Sequence, residues 1–181
     1  MEIYVSFKNK IMKKTLIICI AIISSLCANA QSLSPTKGGN CFTIDLPDYM
    51  TKAFDLNSAA SLQYQNTNKE AYIVVIEDSK EDLINLGAKF VNSNDFLEDF
   101  TKDYKIDSNN RKLGTISQFE ANGNKHSQVE MSWTETGTNF YMLITIVETK
   151  THFYKIMCWT ILEYKDKLKK DFIALSKTLK E

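Results

Sequence analysis

Two histidines, His126 and His152, are the side chains best suited to general-base or metal chemistry near neutral pH in this chain. Neither has a second His or Cys at metal-ligand spacing, so the pattern predicts no zinc site. His126 follows Asn122-Gly123, beside Asn124 and Lys125, and is expected to be exposed on a hairpin; His152 opens a strand. The chain holds no HExxH, GxSxG, Walker A, GxGxxG or EF-hand pattern. A hydrolase assembled from distant positions would need one of the two histidines in a concavity beside a nucleophile. The acidic pairs Glu81-Asp82 and Glu98-Asp99 fall in the first turns of expected helices. Negative charge there suits the helix dipole and needs no catalytic role. No catalytic residue, cofactor or metal site is therefore expected.

Cysteines and aromatic side chains are the remaining candidates. Cys41 and Cys158 lie 117 positions apart. A bridge between them would close a loop long enough to add about 4–5 kcal/mol on a chain-entropy account. Two buried, unpaired thiols would fit the spacing equally well, and both readings stay open. No CxxC occurs, which leaves thioredoxin-like chemistry without support. Trp133 and Trp159 fall on apolar strand faces and are read as core. Tyr49 and Met50, just after Pro47, together with Tyr141 and Tyr154, are the expected binding surface.

The elements that must position these residues follow an address segment. Lys13 and Lys14, the apolar run from Leu16 to Leu26 and Ala28-Asn29-Ala30 form the three parts of a secretory signal peptide. The run is shorter than the roughly 20 residues of a membrane span. Cleavage is expected after Ala30, whether translation starts at Met1 or Met12. Cys27 follows the large Leu26, where a lipidation site calls for a small residue, so simple cleavage is preferred. The whole chain has 22 basic and 22 acidic residues. Residues 1–30 remove four lysines and one glutamate, which leaves a mature chain of net charge −3. Neither nucleic acid nor an anionic membrane surface is favoured by that balance.

Residues 31–40 carry Pro, Gly and Ser and are expected to be a flexible lead-in to a single domain over 41–181. Phe42, Ile44 and Leu46 alternate along a half-buried strand closed by Pro47. Ser61–Gln65 is a short strand, and Ala71–Glu77 is apolar on both faces, as a covered strand must be. Ser79-Lys80-Glu81-Asp82 opens a helix through Leu83, Leu86 and Phe90, with Gly87 weakening it. A second helix starts near Ser93 and aligns Phe96, Phe100 and Tyr104. Lys105–Lys112 reads as a polar loop. Strands are expected over 113–121, 128–135, 139–148 and 152–162. The first turn is Asn122-Gly123, whose residues suit the two positive-φ positions of a tight hairpin. A terminal helix aligns Tyr164, Leu168, Phe172, Leu175 and Leu179, with lysines on its solvated face. The sum is α+β: an antiparallel sheet of five to seven strands ending in a four-strand meander, with helices packed on it.

Phe42-Thr43-Ile44-Asp45-Leu46-Pro47 followed by Tyr49-Met50 resembles the opening F-x-I-x-L-P strand and aromatic step of the PsbP-like superfamily. The likeness runs through Asn122-Gly123, Phe140-Tyr141 and Phe153-Tyr154 to Ile173 and Ser176, near the family's closing I-x-x-S. The final Ser-Phe-Lys of many members is replaced here by Ser176-Lys177-Thr178. The resemblance implies an α/β/α sandwich and a non-catalytic role, since such proteins commonly bind to or assist larger assemblies. The expectation is an exported accessory protein, periplasmic or secreted, that contacts another envelope protein. A carrier of a small apolar ligand, with a pocket between sheet and helix, is the alternative, and a dispersed-site hydrolase stands behind it. Oligomeric state is left open.

Overall fold

The computed structural model describes residues 32–39 and 41–181. The signal segment 1–30, Cys27 and the cleavage point after Ala30 lie outside the described residues.

The long apolar strands are long because both of their faces are covered. β5 (Ala71–Ser79), β8 (Asn124–Glu135), β9 (Thr138–Glu148) and β10 (His152–Ile161) form the centre of an eight-stranded sheet. Its order is β3-β4-β5-β10-β9-β8-β6, with β7 also paired to β8. The outer strands are β3 (Thr51–Lys52), β4 (Leu62–Asn66), β6 (Asn109–Leu113) and β7 (Ser117–Ala121). Every pairing is antiparallel. The meander β7-β8-β9-β10 turns at Asn122 (φ 50°) and Gly123 (φ 77°), then at Thr136 (φ 48°) and Gly137 (φ 83°). Two successive positive φ values match the twist of the flanking strands.

Three helices follow from local signals. α1 (Lys80–Asn85) begins where the Ser79 hydroxyl accepts from the Asp82 amide, and it is over before Gly87, whose φ is +83°. α2 (Ser93–Asp103) begins where the Asn92 side chain accepts from the amides of Asn94 and Asp95. Such caps satisfy amides that have no partner inside the helix. α3 (Lys165–Ser176) buries Leu168, Phe172 and Leu175.

The helices lie on opposite faces of the sheet. α3 and the hairpin of β1 (Leu33–Gly38) with β2 (Phe42–Pro47) cover one face. There Phe42, Ile44, Leu46, Phe172 and Leu175 meet Ile73, Val75, Leu143 and Ile156. α2 covers the other, where Phe96 and Leu97 meet Val74, Met131, Met142, Ile144, Phe153 and Met157. Consecutive residues of β5 and β9 thus enter different cores.

Several expectations need correction. Residues 33–38 are not a flexible lead-in: they form β1 in register with β2, from Leu33↔Pro47 to Gly38↔Phe42. The compact unit accordingly begins at Leu33, not at residue 41. Gly38 permits this, because a Cβ there would lie 2.2 Å from the Phe42 ring. The polar stretch 105–112 contains most of β6, and the strand expected over 113–121 is split into β6 and β7 around Gly114. Both are edge strands, where polar side chains are favoured and apolar alternation is absent. The sheet therefore has eight strands, one more than the expected upper limit.

Candidate functional site

The expected binding surface does not exist as a surface. Tyr49 is partly buried against the α3-side core, and Met50, Tyr141 and Tyr154 are buried within it. Alternation along β9 and β10 points Tyr141 and Tyr154 under α3 and the β1–β2 hairpin. The Tyr49 hydroxyl donates to Asp171 (2.9 Å), and burial together with that carboxylate pushes its pKa well up. The cysteines are both free: Cys41 is exposed and Cys158 is buried. Phe42 takes the inward position of β2, so its neighbour Cys41 faces outward, away from the core that holds Cys158. Burial raises the Cys158 thiol pKa and keeps it protonated.

His126 is not an exposed hairpin residue but is 1 % exposed. The hairpin folds under the end of α3, where the Asn122 side-chain amide donates to the Lys177 carbonyl (2.7 Å). Phe119 stacks on the imidazole at 4.9 Å, and Nδ1 lies 3.1 Å from the Asn124 carbonyl oxygen. Nε2 has no partner, and burial holds the imidazole below its ordinary pKa. His152 does lie near a hydroxyl and a carboxylate, those of Thr151 and Glu181. Thr151 Oγ1 and Glu181 Oε1 are each 2.8 Å from Nδ1. A nucleophile relay needs its hydroxyl and carboxylate on opposite ring nitrogens. Here both converge on one, so the group lacks triad geometry. Thr151 also donates to Glu181 directly, and Tyr154 does so at 3.1 Å. Burial raises the Glu181 pKa, but hydrogen bonds from Thr151, Thr149, His152 and Tyr154 outweigh it and hold the carboxyl low. Among the described residues no group of three or more His, Cys, Asp or Glu is placed to hold a metal ion.

A cleft on the α2 face has the features of a ligand site. A cross-strand row runs Tyr72, Trp159, Met142, Met131 over β5, β10, β9 and β8. Beside it Trp133 pairs with Phe140. Trp159 stacks on Tyr72 (5.3 Å) and Trp133 on Phe140 (5.2 Å). Past the end of α2, Tyr104 and Lys105 close one side. Arg111 holds that end, donating to the Tyr104 carbonyl (3.0 Å) and to that of Thr101. Leu56 and Asn57 close another side, with both of their amides bound to Gln63 Oε1 (2.8 and 3.0 Å). The cleft has a volume of about 260 Å³ and opens to solvent. Polar groups converge at its rim: Lys105 Nζ lies 2.7 Å from Glu135 Oε2, and the Trp133 indole N–H donates to the same oxygen (3.2 Å). The contacts from Lys105 and then Trp133 hold Glu135 below the ordinary carboxylate range. Apolar walls with a few fixed polar groups are the usual make-up of a small-molecule site.

Both tryptophans belong to the core as the sequence predicts, Trp133 buried and Trp159 packed partly buried against it, but the sequence did not place them at the wall of this cleft. A usable signal was present: Trp133, Met142, Met157 and Trp159 occupy a strand face where Val, Ile or Leu would pack more tightly. A larger polar concavity of about 590 Å³ lies between Asn122–Lys125, Glu148–Lys150 and Lys180–Glu181. Its carboxylates are already engaged, Glu148 by Lys80 (3.1 Å) and the Ser93 amide (3.0 Å), and Glu181 as described. A third hollow, about 300 Å³, lies under α1 and the following loop. Ile84 and Val91, in its lining, are 56 % and 84 % exposed, and Leu86 on the same segment is 83 % exposed.

These elements define an α+β protein of PsbP-like fold. The solution structure of cyanobacterial PsbP (CyanoP) from Synechocystis sp. PCC 6803 matches with TM-score 0.60 at 12 % identity, over 85 % of this chain and 95 % of that one. LpqN, involved in cell envelope biogenesis of Mycobacterium tuberculosis, matches with TM-score 0.56 at 12 % identity, over 83 % and 91 %. PA94 from Pseudomonas aeruginosa, a protein of unknown function and putative regulator, matches with TM-score 0.50 at 10 % identity, over 82 % and 96 %. No protein-family model and no curated protein sequence matches the chain. At these identities the likeness establishes the fold and nothing finer.

Proposed function

We propose that this chain is an exported accessory protein that acts by contact with another envelope protein and catalyses no reaction. The observation that carries the reading is the exposure of three large apolar side chains, Ile84, Leu86 and Val91, along α1 and the loop after it, a knuckle of which Ile84 and Val91 line a hollow together with Leu83, Phe90 and Phe153. Large apolar side chains clustered in water mark contact sites more often than chance. α1 is only six residues long and ends before Gly87, so the knuckle presents a short, shaped surface. Export rests on the signal pattern of residues 1–30, and LpqN's involvement in envelope biogenesis makes an envelope role a reasonable first test.

The test compares the wild type with the triple variant Ile84→Ser, Leu86→Ser, Val91→Ser in cross-linking from intact cells. A reproducible partner recovered with the wild type and lost with the variant is the expected result. The same recovery with both proteins would remove the knuckle from the account. Intact mass of the exported protein addresses location: the expected mass begins at Gln31, and an acylated Cys27 would contradict it.

A second reading, carriage of a small apolar ligand, is favoured by the aromatic cleft between sheet and α2.

A further inference from the structure

We propose that the aromatic cleft binds a small organic cation of the quaternary-ammonium type, and that the Lys105 ammonium occupies the cation's place when the ligand is absent. This rests on the ligand-carrier reading of the cleft and changes its occupant from an apolar molecule to a cation with an apolar periphery. Lys105 Nζ lies 5.5 Å from the centroid of the Trp133 ring and 2.7 Å from Glu135 Oε2. It therefore marks a point where positive charge meets both the negative face of an indole and a carboxylate. The Trp133 N–H bond to the same oxygen fixes the carboxylate relative to the ring. Trp159, Tyr104 and Phe140 supply further aromatic walls. Met142, Met157 and Val74 line the same cleft and offer methyl groups an apolar bed.

The chemistry selects against the other ligand classes. A quaternary ammonium has no N–H donors, so ring faces suit it better than a set of acceptors would. A neutral ligand of the same shape gains the apolar contacts but not the charge. An anion would face the negative sides of the rings and Glu135. Lys105 is able to leave: its side chain is 28 % exposed, and its compact, strongly hydrated ammonium on a flexible stem is readily returned to water. The cleft is smaller than the ~300–1,000 Å³ typical of drug-sized ligands, which restricts the occupant to a small molecule or a headgroup.

The chain contains two tryptophans, and both line the cleft. Intrinsic fluorescence therefore reports occupancy directly. The full chain is titrated with choline and with its uncharged isostere 3,3-dimethylbutan-1-ol at constant ionic strength. The expected result is a saturable change with choline and affinity about tenfold weaker for the isostere, the size of a partly desolvated cation–ring contact. Lys105→Ala should tighten choline binding several-fold, and Glu135→Gln should weaken it. Far-ultraviolet circular dichroism checks that both variants remain folded. Isostere binding as tight as choline would overturn the cation assignment and leave the carrier reading standing. Absence of saturation by either probe would overturn both. Unchanged choline affinity in Lys105→Ala would overturn the role given to Lys105. Co-sedimentation with phosphatidylcholine vesicles, but not phosphatidylglycerol vesicles, would assign the cation to a lipid headgroup. Saturation by choline without co-sedimentation would assign it to a free solute.

Discussion

The two faces of the central sheet are built from the same strands and finished differently. Beneath α3 the core is largely aliphatic and closed, with Ile44, Ile73, Leu143, Ile156 and Leu175 all buried. Several of its polar groups are paired within it, although the Tyr141 hydroxyl and His126 Nε2 are not. The Gln128 amide donates to Thr145 (2.8 Å) and to Ser176 (3.0 Å), and the Ser176 hydroxyl donates to the Ile173 carbonyl (3.0 Å). Beneath α2 the core is aromatic and thioether-rich, and lysines lie over its rings. Lys80 is 4.7 Å from the Phe153 centroid, Lys155 is 4.7 Å from that of Phe100, and Lys105 sits over Trp133. An 11-residue helix covers part of this face, and the Trp133–Trp159 end remains open as the cleft. One face supplies stability and the other retains accessible apolar surface, which is the division expected where a site is carried by a rigid support.

The strongest way to break that comparison uses adjacent residues. Leu143 and Met142 are consecutive on β9, both are buried, and they enter opposite cores. Leu143→Ala should leave a sealed cavity and cost about 3–5 kcal/mol, whereas Met142→Ala opens into the existing cleft and should cost about 2 kcal/mol. Urea unfolding measures both. Equal losses would mean that the α2 face is as closely packed as the other.

The same division explains what was legible in the sequence. Features set by local chemistry were readable: the Asn122-Gly123 turn, the Ser79 cap, the start of α2 and the long apolar strands. β1 and β6 were hidden because polar edge strands carry no apolar period. The second face of β8 was misleading for a different reason. Gln128 and Glu130 alternate with Val129 and Met131 as a solvated face would, yet Gln128 lies under α3, and Glu130 takes ion pairs from Lys165 and Lys169. His126 belongs to that same row. The burial of a polar residue depends on which distant helix covers it, and strand periodicity carries no record of that. A pocket between sheet and helix is among the expectations, but its place was not legible, because it exists only where α2 stops short of residues from four strands.

His126 provides a second, smaller test. Its folded pKa is depressed below the ordinary value near 6.5, so the unfolded chain binds the proton more readily. The imidazole's contribution is complete above about pH 6.5 and is lost as pH falls toward the folded value. His126→Phe keeps an aromatic ring against Phe119 and removes the titration. The wild type should therefore lose stability relative to the variant between pH 7 and pH 5, by at most about 1.4 kcal/mol per pH unit. Parallel pH profiles would show that His126 is solvated in the native state.

The smallest effect belongs to the outer rim of the α3 face. Glu130 lies 3.0 Å from the Lys165 ammonium and 2.6 Å from that of Lys169, joining β8 to the helix. All three side chains are about a third exposed, so water competes for each contact. Burial raises the Glu130 pKa, but the hydrogen bonds from Lys169 and Lys165 outweigh it, and the carboxyl sits below its ordinary range. That sign means the contribution is present above about pH 4.5 and fades as acid protonates the folded state. Glu130→Gln should cost no more than about 1 kcal/mol at pH 7, and less in 0.5 M salt. Unfolding midpoints at low and high salt decide the matter. A larger, salt-independent loss would mean that α3 is held down by this rim rather than by Leu168, Phe172 and Leu175, and the closed face would then owe its closure to charge.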